Sequence, residues 1–307
     1  MSLPKQLEGL SLPVVCAPMF LVSGTELARA ACAEGIVGTF PALNARTTEL
    51  LDQWLTTMGT PRVPYGVNLV VHRTNPRVEA DLAVLEKHKT PLVITSLGAV
   101  KELVARVHAW GGLVFHDVIN AHHARKAADA GVDGIIAVAA GAGGHAGTTS
   151  PFALVAEIRS FFDKTLLLAG CINTGAQVLA AQAMGADLAY LGTRFIATKE
   201  SNAGDEYRQM IVESKAADII HTPAVSGVPA SFMKASLQKA GYDMDALSKP
   251  GTLDYGSKLK PADDEAKAWK TVWSAGQGVG GINDVPSVAE LVARLKSEYA
   301  AARKTFS

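Results

Sequence analysis

Ile136-Ala137-Val138-Ala139-Ala140-Gly141-Ala142-Gly143-Gly144-His145-Ala146-Gly147-Thr148-Thr149-Ser150-Pro151 reads as one strand–loop–helix unit. The opening apolar run suits a strand, glycines at 141, 143, 144 and 147 open a loop, and Ser150-Pro151 offers an N-cap and a first helical position. Glycines carry no Cβ, so backbone N–H groups here can turn closely towards a flat or anionic ligand. His145 is the one side chain in the loop able to exchange protons near neutral pH. Taken alone, such a loop is more often a flexible turn with a surface histidine. Its surroundings decide otherwise.

The same unit repeats along the chain. Apolar, β-branched runs at Val14–Met19, Ile36–Pro41, Tyr65–Val71, Leu92–Leu97, Leu113–Val118, Gly134–Ala140, Thr165–Cys171 and Leu188–Phe195 read as eight strands. Most are apolar at nearly every position, as parallel strands covered by helices are. Helical stretches between them end at Gly35, Gly111, Gly131 and Gly185, each suited to a left-handed C-terminal turn. Ser23-Gly24-Thr25-Glu26 has capping-box spacing ahead of the first helix. Eight such units close into a (β/α)8 barrel.

After Phe195 the period breaks. Helical stretches at 205–216, 230–240 and 263–275, separated by Pro- and Gly-rich loops with no convincing strand, predict a helical cap over 197–285. The amphipathic run from Pro286 onward predicts the eighth barrel helix, so the barrel comprises 1–196 and 286–307 with the cap inserted after strand eight.

Composition narrows the function classes. The chain has 307 residues, 48% hydrophobic and 19% charged, with formal net charge zero, which gives no global pull towards nucleic acid or a membrane surface. Cys16, Cys32 and Cys171 are far apart, arguing against a metal site or a disulfide framework and for a reducing, cytoplasmic setting. No run reaches bilayer-spanning length, and the N-terminus lacks the pattern of a secretory signal. No charge run or heptad identifies an oligomeric interface, and oligomeric state stays open.

In such a barrel the reactive groups belong at the C-terminal ends of the strands. Ala17-Pro18-Met19, Asn68, His116-Asp117, the glycine loop with His145, Gly170-Cys171 and Gly192-Thr193 all fall there. Glycine loops after strands seven and eight make a phosphate-binding corner. His72, His88, His108, His122, His123 and His221 lack ligand spacing and receive no role. Trp269 and Trp273, one helical turn apart, are read first as packing residues and secondarily as pocket residues.

APM at 17–19, YGVN at 65–68, GAGGHAG at 141–147, AGCINTG at 169–175, GADLAYLGTRF at 185–195 and SAGQGVGGI at 274–282 together resemble the nitronate monooxygenase family, formerly called 2-nitropropane dioxygenases. The resemblance implies one non-covalent FMN on the barrel. Ala17, Pro18 and Met19 would border its ring, Asn68 would hydrogen-bond to it, and Gly143 and Gly144 would touch it. Gly170, Gly192 and Thr193 would hold the phosphate, and Gln277 would face the ring from the cap. His116 would supply a further polar flavin contact, with Asp117 pointing the other way. His145 would act as general base on a nitroalkane carbon, and oxygen would take the electrons to give a carbonyl compound and nitrite.

The chain departs from the family where many members read Q-G-x-E-A-G-G-H, because Val138 and Gly141 replace the glutamine and glutamate. Cys171 stands where many have a second glycine, and is read as a buried structural thiol. The alternative function is an NAD(P)H-dependent flavin reductase with a quinone or enoyl-thioester acceptor. No separate dinucleotide fingerprint accompanies it, so NAD(P)H would dock over the flavin. A non-catalytic flavin-binding protein is a third reading.

Overall fold

The computed structural model describes residues 3–72, 74–98, 100–225, 227–244, 247 and 272–306. Eight parallel strands close into a barrel: β1 (Val14–Cys16), β2 (Val37–Pro41), β3 (Gly66–Val70), β4 (Leu92–Ser96), β5 (Leu113–Val118), β6 (Gly134–Val138), β8 (Thr165–Ala169) and β9 (Leu188–Leu191), with β9 pairing back to β1. Alternation along each strand sorts the side chains. Val15, Val37, Ile94, Phe115, Ile136, Leu167 and Leu188 fill the barrel interior. Val14, Val67, Val93, Val114, Ile135, Leu166 and Ala189 face outward against the helices. Both faces are therefore buried, as the continuous apolar runs predicted.

The outer ring is α1 (Thr25–Ala33), α2 (Thr48–Met58), α3 (Val78–Lys87), α4 (Lys101–Ala109), α5 (Ala121–Asp129), α6 (Pro151–Arg159), α7 (Gly175–Ala183) and, after the cap, the long C-terminal helix. Gly35, Gly111, Gly131 and Gly185 all hold positive φ, from 80° to 110°, after their helices. The C-terminal helix (Val288–Phe306) packs against α7 and α1 and takes the eighth barrel position, as expected. It lies so close that a Cβ on Gly175 would fall 2.1 Å from Leu295 O.

Two local expectations are corrected. The last strand stops at Leu191, and Thr193–Ile196 forms a one-turn helix, α8, after Gly192. The capping box at Ser23 does not form. Gly24 is the N-cap of α1, while Ser23 Oγ accepts the Met19 N–H at 2.9 Å and so fastens the loop after β1. Capping boxes form instead at Thr174 with Gln177, at the start of α7, and at Ser287 with Glu290, ahead of the C-terminal helix.

The cap is the largest correction, because it is not all helical. β10 (Ile219–Thr222) and β11 (Ala230–Met233) pair as an antiparallel hairpin, and β11 also pairs with β7 (Gly144–His145), which rises from the glycine loop. Within β11 successive side chains separate, Phe232 with Ala230 into one cluster and Met233 into another, which is strand periodicity and not helical. Helix resumes only in α10 (Lys234–Lys239). Of the expected cap helices, the first is α9 (Asp205–Glu213). The helix expected over 263–275 lies outside the described residues through 271, together with Trp269, and Val272–Ala275 is not helical. We label the C-terminal helix α11. Among the described residues no helix is long and apolar enough to cross a membrane, and no side-chain cluster is fit to hold a metal. The three cysteines are free.

Candidate active site

At the C-terminal mouth of the barrel, the sequence between β1 and α1 is held by groups that the motif reading did not single out. Asn44, after β2, donates through Nδ2 to Met19 O at 2.9 Å and Ser23 O at 2.7 Å, and accepts the Leu21 N–H at 2.9 Å. Three bonds to one amide fix the path of the chain from Met19 to Ser23. Across the β9–β1 seam, a Cβ on Gly192 would sit 3.7 Å from Met19 Sδ and 3.8 Å from Ala17 Cβ, so these residues meet.

The loops after β6, β8 and β9 are stitched to residues 274–281. Gln277 N donates to Gly141 O (2.8 Å), Gly276 N to Thr193 Oγ1 (2.9 Å), and Gly144 N to Ser274 Oγ (2.7 Å). Ser274 Oγ donates onward to Ser231 O at 2.6 Å, tying the cap strand into the same network. Backbones touch here without intervening side chains. A Cβ on Gly276 would lie 2.6 Å from Gly141 O, and one on Gly143 would lie 2.9 Å from Gly276 N. Gly170 turns at φ 129°, and Cys171 follows at φ 57° with its thiol 3.5 Å from Gly141 O. Desolvation of the sulfur raises that thiol's pKa, so the side chain is a poor thiolate, but the residue is exposed and not the buried structural thiol expected.

The inward faces of β3, β4 and β5 carry Asn68, Ser96 and Asp117 in a continuous hydrogen-bonded line, with Tyr190 of β9 also facing inward. His116 therefore does not. It shares the outward register of Val114 and Val118, hydrogen-bonds to Thr95 Oγ1 at 2.7 Å, and lies within electrostatic reach of His123 on α5. Burial keeps the ring neutral, lowering its pKa to about 4, with the His123 charge adding to the effect. The expected flavin contact at His116 is thus corrected: of the two adjacent polar residues, strand alternation sends Asp117 into the barrel.

His145 stands in β7, paired with Ala230, with its side chain exposed. The cap hairpin thereby fixes the backbone of the one histidine in the glycine loop. Of the other expected residues, Gly143, Gly192, Thr193 and Gln277 converge with Ala17 and Met19 on the mouth, and Asn68 lines its inner wall. Asn44, Ser96, Tyr190 and Ser274 went unnoticed in the sequence. Ser96 and Tyr190 could have been found by extending the inward parity of Asn68 and Ala169 to their neighbours.

These residues fit a flavin. Gly192 has an ordinary φ of −104°, and a Cβ there would meet only side chains at van der Waals distance. The protein's own packing therefore does not require glycine at this point, whereas close approach of a ligand to the backbone would. Arg194, beside it, is 3% exposed and committed to Asp284 at 2.8 Å, so an anion at this turn would be met by backbone N–H groups and Thr193.

The nitronate monooxygenase family profile matches residues 77–298. The chain belongs to the nitronate monooxygenase family. It is a flavin-dependent oxidoreductase, as the members of that family are. A nitronate monooxygenase of Paraburkholderia phytofirmans is 28% identical, with 95% of this chain and 93% of that one covered. A (3aS,4S,5R,7aS)-5-hydroxy-7a-methyl-1-oxo-octahydro-1H-indene-4-carboxyl-CoA dehydrogenase of Rhodococcus jostii is also 28% identical, over 76% of this chain, which spans 65% of that relative's length. Among solved structures, the nitroalkane oxidase of Streptomyces ansochromogenes superposes with a TM-score of 0.84 at 27% identity, covering 98% of this chain and 99% of the other.

Proposed function

We propose that this member of the family binds FMN and oxidises nitronates and nitroalkanes with oxygen, yielding a carbonyl compound and nitrite, with His145 as general base. The observation that carries the base assignment is the β-pairing of Gly144–His145 with the cap strand Ala230–Met233. It holds an imidazole on the loop that leaves β6, at the end of the barrel where this fold places its chemistry.

The bound flavin would supply the acceptor for the substrate's electrons. The chain's own residues do the rest. Backbone at Ala17, Pro18 and Met19 borders the ring. Asn68 uses both amide hydrogens inside the protein, on Ile94 O and Ser96 Oγ, so what it offers a ring is its carbonyl oxygen, as acceptor. Gly143 and Gly144 let the loop backbone approach, Gly170, Gly192 and Thr193 hold the phosphate, and Gln277 closes the face opposite the barrel. Residues 197–285 form the substrate-covering domain and exclude water. An imidazole nitrogen of His145 removes the carbon-bound proton of a neutral nitroalkane.

A nitronate has already lost that proton. His145→Asn should therefore lower kcat/KM on a neutral nitroalkane about 10²- to 10⁴-fold while sparing the matching nitronate. Steady-state nitrite release from both substrates measures this, and equal losses on both would remove His145 from the base role. The similarity to a carboxyl-CoA dehydrogenase, at the same identity as to the monooxygenase, supports a second reading, an NAD(P)H-dependent flavin reductase with a quinone or enoyl-thioester acceptor.

A further inference from the structure

The line of polar groups inside the barrel has a direction. Asn68 Nδ2 donates to Ile94 O at 3.1 Å and to Ser96 Oγ at 2.7 Å, and Ser96 Oγ donates to Asp117 Oδ2 at 2.5 Å. The Ile94 carbonyl can only accept, so the Asn68 amide must turn its NH2 that way. Ser96 accepts from it and has its single proton left for the carboxyl. The line ends at Asp117, whose Oδ1 has no partner among the described residues and whose side chain is only partly covered at the C-terminal end of β5.

The groups around Asp117 hold no compensating charge. Its inward neighbour on β6, Ile136, is apolar, as are Val138 and Ala169 one layer nearer the mouth. Tyr190 is a neutral phenol whose ionisation the nearby carboxylate further opposes. His116, the next titratable group along the strand, faces the helices. No cation among the described residues favours the charged carboxyl. Burial raises its pKa to about 6, against the opposing pull of the Ser96 hydrogen bond. A partly covered carboxyl with one oxygen braced and the other open at a ligand-binding mouth is built to meet something polar.

We propose that Asp117, braced by Ser96 and Asn68, is a cofactor-contacting residue that presents a protonatable carboxyl to the flavin ring from the β5 side of the barrel. The proposal rests on the flavin reading above. Asp117 supplies a polar side chain one strand away from Val138, where the chain lacks the glutamine of its relatives. As an acid it donates to a ring carbonyl or nitrogen, and as a carboxylate it can only accept, so its contact changes character with pH.

The test is a pH titration, from 5 to 8, of the visible flavin spectrum of FMN-loaded protein, with FMN affinity measured by equilibrium dialysis. Wild type should show a one-proton spectral transition. Asp117→Asn should abolish it and weaken FMN binding about tenfold, and Ser96→Ala should move it to higher pH because the carboxylate loses a donor. A transition that survives Asp117→Asn, with affinity unchanged, would overturn the proposal and leave the flavin reading intact. If the variants do not fold, infrared difference spectra of wild type with and without FMN serve instead. A protonated-carboxyl band that shifts on FMN addition supports the contact, and one that ignores FMN overturns it. Wild-type protein with no affinity for FMN or FAD would overturn the flavin reading as well, and the wild-type dialysis alone distinguishes that case.

Discussion

Two neighbouring residues on β5 pull stability in opposite directions as pH changes. His116 has a folded pKa of about 4 against an ordinary value near 6.5, so acidification protonates it in the unfolded chain first. Its contribution is full above pH 6.5 and falls away between about 6.5 and 4, by roughly 3 kcal/mol. Asp117 is the reverse. Its folded pKa of about 6 lies above the ordinary value of 3.8, so between those values the folded state binds the extra proton and gains stability as pH falls. The two effects largely offset in wild type. Asp117→Asn should therefore expose acid destabilisation between pH 6.5 and 4, and His116→Gln should expose acid stabilisation between pH 6 and 4, both read from urea midpoints across pH. Parallel pH profiles for the two variants would refute the assignment. The sequence alone could not orient this pair. Alternation requires that one face in and one out, but the choice depends on the register that places Phe115 inside. Cys171 was legible only as a departure; its φ of 57° gives the backbone reason why a glycine suits that position.

At the scale of elements, the barrel strands and their helices were readable because most strands are apolar on both faces and several helices, α1, α4, α5 and α7 among them, are followed by a glycine at positive φ. The cap hairpin was not readable. β10 and β11 are four residues each, β7 is two, and the connection from Pro223 to Pro229 has the composition of a plain loop. Their pairing is tertiary, since β7 belongs to a barrel loop and β11 to the cap. The seam between the glycine loop and residues 274–281 is close-packed backbone, which makes it brittle. A methyl at Gly276 would press on Gly141 O and Gly143 N, neither of which can rotate away. Gly276→Ala should cost about 1–3 kcal/mol and loosen segment 274–281 from the glycine loop, seen as a lower melting temperature and faster amide exchange there. An unchanged melting temperature would contradict the tight seam.

At the scale of the whole molecule, the chain leaves the barrel at β9, builds the cap and returns to complete the helix ring with α11. The return is clamped by charge. Asp284 accepts from buried Arg194 beside the mouth and from Arg294 on α11. Removing it would strand a nearly buried guanidinium, and Asp284→Ala should destabilise by about 2 kcal/mol, the figure reduced from that of a fully buried pair because Asp284 is 37% exposed. Chemical denaturation measures it, and a neutral result would make the clamp ornamental. This arrangement puts loops from β1, β6, β8 and β9 and the cap segment around one mouth, which is what a flavin enzyme of this family needs.

The most direct test of the proposed function is anaerobic stopped-flow absorbance of the FMN-loaded protein mixed separately with a nitronate, NADH and NADPH. The account predicts that nitronate alone changes the flavin spectrum and that nitrite appears when oxygen is admitted. Rapid bleaching by NADH or NADPH, with no response to nitronate, would contradict it and make the protein a reductase.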